Sequence, residues 1–323
     1  MAADLADSGG GGADSALLHE VAEALRSSPR CLPPKLFYDE RGSRLFERIT
    51  ELPEYYLTRL ERALLRDVAA GWVEALRPRT IVELGAGSAA KTRILLDALR
   101  AGGHAETYVP IDVSADFLKA SADLLVAEFP GLEVHPIVAD ITRPLSFDLT
   151  LARPALFAFL GSTIGNFTDA AAGRLLGFIA THMEPVDRLL LGVDLVKDPA
   201  VLLAAYDDAA GVTAEFNRNM LNVVNRRLGG DFDVAAFDHR AVFDAEESRI
   251  EMHLVARSPQ IVRIPGLAPI TLAAGETIRT EISNKYDRSG IDAILASAGL
   301  VVERWENDPR AYYAILLARR QSD

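Results

Sequence analysis

A glycine-rich turn stands between a predicted strand and a predicted helix in VELGAGSAAK, residues 82–91. Gly85 and Gly87 let a ligand approach the backbone closely, and the start of the following helix favours negative charge. The run 85–90 also satisfies the relaxed dinucleotide-binding pattern with Ala in the last place. The stretch therefore predicts a cofactor site, although a turn shaped only for strand-to-helix packing would have the same sequence.

Two aspartates end the next two predicted strands, Asp112 in YVPID and Asp140 in HPIVAD. Asp112 can accept hydrogen bonds from both hydroxyls of a ribose, and Asp140 from the exocyclic amine of an adenine. Either residue alone could equally be a helix cap. Because the carboxyl ends of parallel strands form the ligand-binding edge of an open α/β sheet, we expect both at one cofactor site.

Two features favour S-adenosylmethionine over a nicotinamide dinucleotide. Glu83 lies two residues before Gly85, which gives the acidic-x-Gly-x-Gly motif of methyltransferases with a doubly wound sheet. After its last predicted helix the chain closes with two strands, VVERWEND and AYYAILLAR. Such a reversed terminal hairpin is typical of those methyltransferases and not of the dinucleotide dehydrogenases.

A second group of polar residues lies outside the predicted parallel sheet. In TEISNKY, Glu281 and Ser283 are two apart on a predicted strand, so their side chains project from the same face. Together they suit a ring N–H and a second ring nitrogen, while a solvated polar face is the alternative. Tyr206 and Asn166 could each donate to a carboxylate, and core packing is the default expectation for Met252.

Composition limits the class of partner. The 323 residues carry a net charge of −12, which argues against nucleic acid and favours a small-molecule substrate. The single Cys31 cannot form an internal disulfide, so we expect a cytoplasmic protein. The histidines show no metal-ligand spacing, and no apolar stretch reaches the roughly 20 residues that span a bilayer. We therefore expect no metal and no membrane association. A monomer is our expectation for the oligomeric state, for which the sequence has no signal.

The order of predicted elements shows how these residues are positioned. From residue 80, short apolar strands alternate with helices, which indicates a doubly wound, mostly parallel α/β sheet. After residue 196 the alternation stops, and a long helical stretch precedes several strands typical of an antiparallel sheet. We predict a disordered tail (1–13), an auxiliary α+β substrate-binding domain (14–56 with 197–287) and a cofactor-binding domain (57–196 with 288–323).

The chain resembles the histidine-specific S-adenosylmethionine-dependent methyltransferase family. The segments that carry this resemblance are LPPKLFYD, LPEYY, ELGAGSAAKTR, FLGSTIGN, DLVKD, AYDDAAGVTAEFNRN, RIEM and TEIS. The similarity covers nearly the whole chain after the acidic tail. FLGSTIGN and AYDDAAGVTAEFNRN are long and specific, whereas ELGAGS alone is not. The resemblance implies a doubly wound methyltransferase domain joined to an auxiliary domain.

The resemblance also implies a role for each matching residue. The cofactor would be held by Gly85, Lys91, Asp112 and Asp140, with Ile141 beside the adenine, and we add Glu83 and Gly87 from the motif. Asn166 and Tyr206 would hold the substrate carboxylate. Gly161 and Thr163 would line the passage for the amine and the methyl group, and Tyr38 and Tyr55 would line the pocket. Glu281 and Ser283 would bind an imidazole on which Met252 packs. Ile141 stands where close relatives are expected to carry an aromatic residue, which predicts weaker adenine stacking.

The implied activity is threefold methylation of the α-amine of L-histidine to hercynine, the first step of ergothioneine biosynthesis. Catalysis would rest on positioning, with Tyr38 relaying a proton through water. Three alternatives stay open at this point: a family member acting on another aromatic amino acid, a nicotinamide-dependent oxidoreductase, and a non-catalytic sensor of S-adenosylmethionine or an amino acid.

Overall fold

The structure, a computed structural model, describes residues 10–87, 89–102, 107–145 and 150–321, without the side chains of 10–13, 116 and 117. Two compact units divide the chain. Unit 1 comprises Met1–Leu52, Leu203–Phe243 and Ile250–Ile282, and unit 2 comprises Pro53–Leu202, Asp244–Arg249 and Ser283–Asp323. The sequence predicts boundaries after residues 56, 196 and 287, and it assigns residues 244–249 to the auxiliary domain rather than to the cofactor-binding domain.

The described residues form nine α-helices and thirteen strands. The helices are α1 (Gly10–Arg26), α2 (Glu40–Glu51), α3 (Tyr56–Leu76), α4 (Thr92–Gly102), α5 (Ala115–Glu128), α6 (Asp169–His182), α7 (Pro199–Tyr206), α8 (Val212–Leu228) and α9 (Arg288–Ser297). The strands are β1 (Thr80–Leu84), β2 (Thr107–Asp112), β3 (Glu133–Val134), β4 (Ile137–Val138), β5 (Ala155–Phe159), β6 (Arg188–Asp194), β7 (Phe237–Asp244), β8 (Arg249–Ala256), β9 (Gln260–Val262), β10 (Ile270–Leu272), β11 (Thr277–Asn284), β12 (Leu300–Asn307) and β13 (Tyr313–Arg320). None of these helices is long and apolar enough to cross a membrane.

The sheet of unit 2 has the strand order β12-β13-β6-β5-β1-β2-β3, with β4 also paired to β2. β1 pairs in parallel with β2 and β5, and β5 pairs in parallel with β6. β13 runs antiparallel to β6, and β12 runs antiparallel to β13. The predicted doubly wound, mostly parallel sheet with a reversed terminal hairpin is confirmed.

The core of unit 2 explains why its strands are apolar throughout. All five residues of β1 and all five of β5 are buried, as expected when helices cover both faces of a parallel sheet. Leu84, Phe157 and Leu191 belong to one continuous core cluster. Because β1, β2, β5 and β6 run in the same direction, the residues that follow them meet at one edge of the sheet.

The predicted third strand, LEVHPIVAD, is interrupted. It forms two short strands, β3 and β4, which pair in parallel with successive parts of β2. Pro136 lies between them and has no N–H to donate to a continuous ladder. Asp140 consequently follows a two-residue strand rather than a long one.

Unit 1 contains most of the three-stranded sheet β11-β8-β7 and the antiparallel pair β9-β10. The long stretch predicted as helical, residues 199–228, is interrupted, because α7 ends at Tyr206 and α8 begins at Val212. The Asp208 carboxylate accepts hydrogen bonds from the amides of Val212 (2.9 Å) and Thr213 (2.7 Å). It therefore satisfies two amides at the start of α8 that a continuous helix would have bonded internally.

Helix α1 begins at Gly10, so residues 10–13 of the predicted disordered tail belong to its first turn. Residues 1–9 of that tail lie outside the described residues. Arg227 donates to the Asp14 carboxylate at 2.8 Å, which ties the start of α1 to α8 within unit 1.

Candidate active site

The glycine turn after β1 is bound to the end of β2. Gly85 (φ +68°) and Gly87 (φ +51°) have left-handed backbone conformations, which glycine adopts without steric cost. The Gly85 amide donates to Ile111 O at 2.8 Å, and the Gly87 amide donates to Asp112 Oδ2 at 3.0 Å. Asp112 Oδ1 accepts from the Ser114 amide at 3.1 Å. Asp112 is therefore held in place by backbone groups on both sides.

Residues following three different strands meet at this turn. A β-carbon at Gly85 would lie 3.8 Å from Ile141 Cδ1 and 3.9 Å from Thr163 Cγ2. The Thr163 hydroxyl donates to Leu160 O at 2.8 Å, and its methyl group is the part nearest Gly85. The structure thus brings together a predicted backbone contact, the predicted adenine neighbour and one residue of the predicted methyl passage.

Lys91 lies beside Gly161 because a buried glutamate holds it there. Lys91 Nζ is 2.8 Å from Glu61 Oε2, and the Glu61 side chain is 1% exposed. A β-carbon at Gly161 (φ +81°) would lie only 2.8 Å from Lys91 Nζ, so any larger residue would displace the ammonium group. Sequence reasoning missed Glu61, although it stands on the apolar stripe of α3 with Leu57 and Leu64.

Glu83 is buried and hydrogen-bonded within unit 2. It is 2% exposed and accepts hydrogen bonds from the hydroxyls of Thr92 and Tyr108. Burial raises the pKa of Glu83 to about 7. The residue links β1 to α4 and β2 and so supports the strand end that carries the glycine turn, and its cofactor contact stays a prediction.

Asp140 lies at the start of a tight turn. Its Oδ1 accepts from the amide of Thr142 at 3.0 Å and from the hydroxyl of the same residue at 2.5 Å. Arg143 Nε lies 3.7 Å from Oδ2. These contacts orient the carboxylate, and the adenine contact stays a prediction.

The segment carrying Asn166 is fixed to its surroundings in unit 2. Asn166 ends the one-turn 3-10 helix Thr163–Asn166 that follows β5. Just before that turn, Ser162 Oγ accepts from the Asp194 amide at 2.9 Å. Just after it, Asn284 donates to Phe167 O at 2.6 Å. Asn166 therefore lies in a turn that is fixed by hydrogen bonds on both sides.

Ser283 contacts a buried charge network that sequence reasoning missed. Asp194 is fully buried and lies 3.0 Å from Lys285 Nζ and 2.5 Å from Lys197 Nζ. Lys285 Nζ also donates to Ser283 Oγ at 2.7 Å, and the Tyr56 hydroxyl donates to Asp194 at 2.9 Å. Burial lowers the pKa of Lys197 to about 8. Asp194 and Lys197 lie in DLVKD, and Lys285 lies in TEISNKY. Both segments stand out in the sequence, but the sequence does not show that their charged residues pair with each other.

The remaining predicted substrate residues lie on several elements. Tyr38 packs edge-on against Phe216, with ring centroids 6.1 Å apart, inside an aromatic cluster of unit 1. Tyr206 ends α7, and its carbonyl accepts a hydrogen bond from His239 Nε2 at 2.9 Å. Met252 is 2% exposed in β8, Glu281 is half-buried in β11, and Tyr55 is buried directly before α3. By unit, Tyr38, Tyr206, Met252 and Glu281 belong to unit 1 and the other predicted site residues belong to unit 2.

The donor set in unit 2 fits a nucleoside that carries a charged tail. The glycine turn exposes backbone, Asp112 offers a carboxylate at a strand end, and Lys91 offers an ammonium group beside Gly161. Such groups suit ribose hydroxyls and a carboxylate, respectively. In the part of the chain that the structure describes, no three His, Cys, Asp or Glu side chains are grouped as metal ligands.

Comparison with known proteins identifies the class that this fold and this site define. The chain shares its fold with an S-adenosylmethionine-dependent methyltransferase from Clostridium acetobutylicum, with a TM-score of 0.51 over 86% of this chain and 99% of that chain at 10% identity. Residues 17–320 match the family described as histidine-specific methyltransferase, SAM-dependent. The chain belongs to this family, and its cofactor is S-adenosylmethionine.

Two relatives show how far the similarity extends. Histidine N-alpha-methyltransferase of Mycolicibacterium smegmatis is 46% identical over 95% of this chain and 96% of its own length. Ergothioneine biosynthesis protein 1 of Neurospora crassa is 32% identical over 87% of this chain, which corresponds to 32% of that longer protein.

Proposed function

We propose that the chain transfers methyl groups from S-adenosylmethionine to the α-amine of L-histidine three times, giving hercynine in the first step of ergothioneine biosynthesis. The similarity to the mycobacterial enzyme along nearly its whole length supports this substrate. One observation of the site carries the proposal furthest: Lys91 Nζ lies 2.8 Å from the β-carbon position of Gly161. The residue predicted to bind the cofactor carboxylate, Lys91, therefore lies next to Gly161, which is predicted to line the methyl passage.

Residues of unit 2 would hold the cofactor. Asp112 would accept from the ribose hydroxyls, Lys91 would pair with the carboxylate, and Ile141 would pack on the adenine near Asp140. When bound, S-adenosylmethionine supplies a methyl group on a positively charged sulfur. Glu83 would act beneath these contacts by fixing the strand end that carries the turn.

The amine must be neutral to accept a methyl group. An α-amino group in a peptide has a pKa of about 8 and that of a free amino acid is somewhat higher, and a nearby positive charge disfavours the protonated form. We propose that Tyr38 relays the released proton through water, so that no strong general base is required. Gly161 and Thr163 would line the passage for the amine and its incoming methyl groups.

Recognition of histidine would use polar pairs at both ends of the molecule. Glu281 and Ser283 would bind the two imidazole nitrogens while Met252 packs on the ring. Asn166 and Tyr206 would hold the carboxylate, and Tyr55 would line the pocket. An amino acid without ring nitrogens could not form these two hydrogen bonds, and a site built to hydrogen-bond a substrate discriminates strongly against an analogue that lacks the matching groups.

Mass spectrometry of an amino-acid panel incubated with protein and S-adenosylmethionine tests the proposal directly. We expect L-histidine to gain one, two and then three methyl groups. Gain on another aromatic amino acid alone would reassign the substrate within the family. No gain on any amino acid, together with thermal stabilisation by the cofactor, would indicate a sensor.

We further propose that the enzyme acts as a cytoplasmic monomer on a small molecule, without nucleic acid or membrane. The net charge of −12 and the single cysteine support this proposal. Light scattering coupled to size-exclusion chromatography measures the oligomeric state. A mass of twice 35.0 kDa would contradict the monomer.

A further inference from the structure

Glu61 is a buried carboxylate with no role in the reaction as described so far. It lies in α3 and is 0% exposed. Its Oε1 accepts from the Gly161 amide at 2.7 Å and from the Tyr313 hydroxyl at 2.7 Å. Its Oε2 lies 2.8 Å from Lys91 Nζ. One carboxylate therefore contacts both the predicted cofactor lysine and the backbone of the predicted methyl passage.

The fold makes room for this carboxylate. Gly192 lies in β6, and a β-carbon there would overlap Glu61 Oε1 and come within 2.6 Å of the Tyr313 hydroxyl. At Gly161, as noted above, a β-carbon would instead displace Lys91. Both glycines thus keep the space that the carboxylate and the ammonium group occupy.

The chemistry of the cluster gives Glu61 a purpose beyond packing. A buried carboxylate is costly unless hydrogen bonds and a cation compensate it, and here both are present. An ammonium group has three N–H donors, so a lysine paired on one side can still pair with a second carboxylate. Lys91 is 25% exposed, and Glu61 holds it from the buried side.

We propose that Glu61 is a positioning residue that fixes Lys91, and through it the carboxylate end of the cofactor, relative to the Gly161 amide. The proposal rests on the proposed function for the roles of Lys91 and Gly161. Oε1 of Glu61 contacts the Gly161 amide and Oε2 contacts Lys91. Because both oxygens belong to one side chain, the carboxylate end of the cofactor and the methyl passage would be held at a fixed distance from each other. Loss of the charge should release the lysine and leave the glycine turn after β1 intact.

The variant Glu61→Gln tests this arrangement. Glutamine keeps the volume and one oxygen for the Gly161 and Tyr313 donors, but it removes the charge opposite Lys91. Calorimetry with S-adenosylhomocysteine, which has the carboxylate, and with 5′-methylthioadenosine, which lacks it, measures binding without turnover. We expect S-adenosylhomocysteine to bind about tenfold more weakly, as for one charge-assisted contact, and 5′-methylthioadenosine to bind as in the wild type.

Asp187→Asn is a matched control at the opposite end of β5. Asp187 is 0% exposed, accepts from the Ala155 amide at 2.7 Å and pairs with Arg153. It repeats the pattern of Glu61, a buried carboxylate between a β5-end amide and a cation, without touching the site. We expect this variant to lower the melting temperature and to bind both nucleosides like the wild type.

The possible outcomes separate the assignments. Wild-type affinity for S-adenosylhomocysteine in Glu61→Gln, or an equal loss for both nucleosides, overturns the positioning role. A double-mutant cycle with Lys91→Met supports the role when Glu61→Gln has no further effect on affinity in the Lys91→Met background. If the wild type does not methylate histidine but the nucleoside contrast holds, the proposed function fails and the assignment of Glu61 stands.

Discussion

The amide of Gly87 donates to Asp112 Oδ2 at 3.0 Å, which joins the turn after β1 to the last residue of β2. The same carboxylate accepts from the Ser114 amide through Oδ1. Two amides thus orient Asp112 before any ligand is present. A carboxylate has about four acceptor sites, so two contacts leave capacity for the hydroxyls of a ribose.

Replacement of Asp112 by alanine should weaken cofactor binding. We expect S-adenosylhomocysteine to bind at least about tenfold more weakly, because a charged acceptor of hydroxyl hydrogen bonds is lost. Asp123→Ala, at an exposed position of α5, is the control and should bind normally. Unaltered affinity in Asp112→Ala would remove this residue from the proposed site.

Gly161→Ala should impair cofactor binding beyond its effect on stability. The new β-carbon would meet Lys91 Nζ at 2.8 Å, and φ at this position is +81°. Gly275 has the same φ of +81° with nothing within 4 Å of its β-carbon position, so Gly275→Ala carries the backbone strain alone. We expect both variants to melt at lower temperature and only Gly161→Ala to bind S-adenosylhomocysteine more weakly, about tenfold. Equal binding by both would refute the contact.

Glu83→Gln should change the pH dependence of stability. Burial raises the pKa of Glu83 to about 7 from 4.5, so the folded state holds a proton that the unfolded state releases between those values. The contribution of Glu83 to the free energy of unfolding therefore falls by about 3 kcal/mol as the pH rises from about 4.5 to 7. Urea unfolding at pH 5 and pH 7.5 measures this. The variant should gain stability relative to the wild type at the higher pH, and a constant difference would contradict the raised pKa.

Glu281→Ala should raise the KM for histidine by well over tenfold while the affinity for S-adenosylhomocysteine stays unchanged. The reason is that the variant loses the acceptor proposed for the imidazole N–H. Steady-state kinetics with histidine and calorimetry with the nucleoside give the two values. Glu246→Ala, in an exposed turn, is the control. Unchanged histidine kinetics in Glu281→Ala would end the imidazole assignment.

The parallel strands and the terminal hairpin of the sheet could be predicted from the sequence because their signals are local. TIVELGAG contains a buried strand followed by glycines, and it became β1 and the turn at Gly85. The two strands predicted after the last helix became β12 and β13. α3 has a local signal of the same kind, since its apolar residues recur with a regular helical period over 21 residues.

Other elements were hidden by competing local signals. Residues 40–51 form α2, although their surroundings are rich in proline and aromatic residues that indicate turns. The available signal was Asp39, which accepts from the Gly42 amide as an N-cap, followed by Leu45 and Ile49 at helical spacing. The caps at Asp39 and Asp208 are visible in sequence only once the helix starts are known.

The charged interior of unit 2 could not be predicted from spacing. Glu61 and Gly161 are 100 residues apart in sequence, and Lys285 and Asp194 belong to distant segments. A charged residue on an apolar stripe marks Glu61 as unusual, but it does not name its partner. Partners of this kind depend on the tertiary fold, whereas turns and strands depend on neighbouring residues.

The division of the chain also limits how this enzyme can be taken apart. The chain passes from one unit to the other after residues 52, 202, 243, 249 and 282, so neither unit is a continuous polypeptide. No single proteolytic cut releases a complete unit, and neither can be exchanged with a relative as a cassette. The last passage falls inside β11, where Glu281 belongs to unit 1 and Ser283 to unit 2. The two residues proposed to bind the imidazole are therefore separated by this boundary in the sequence.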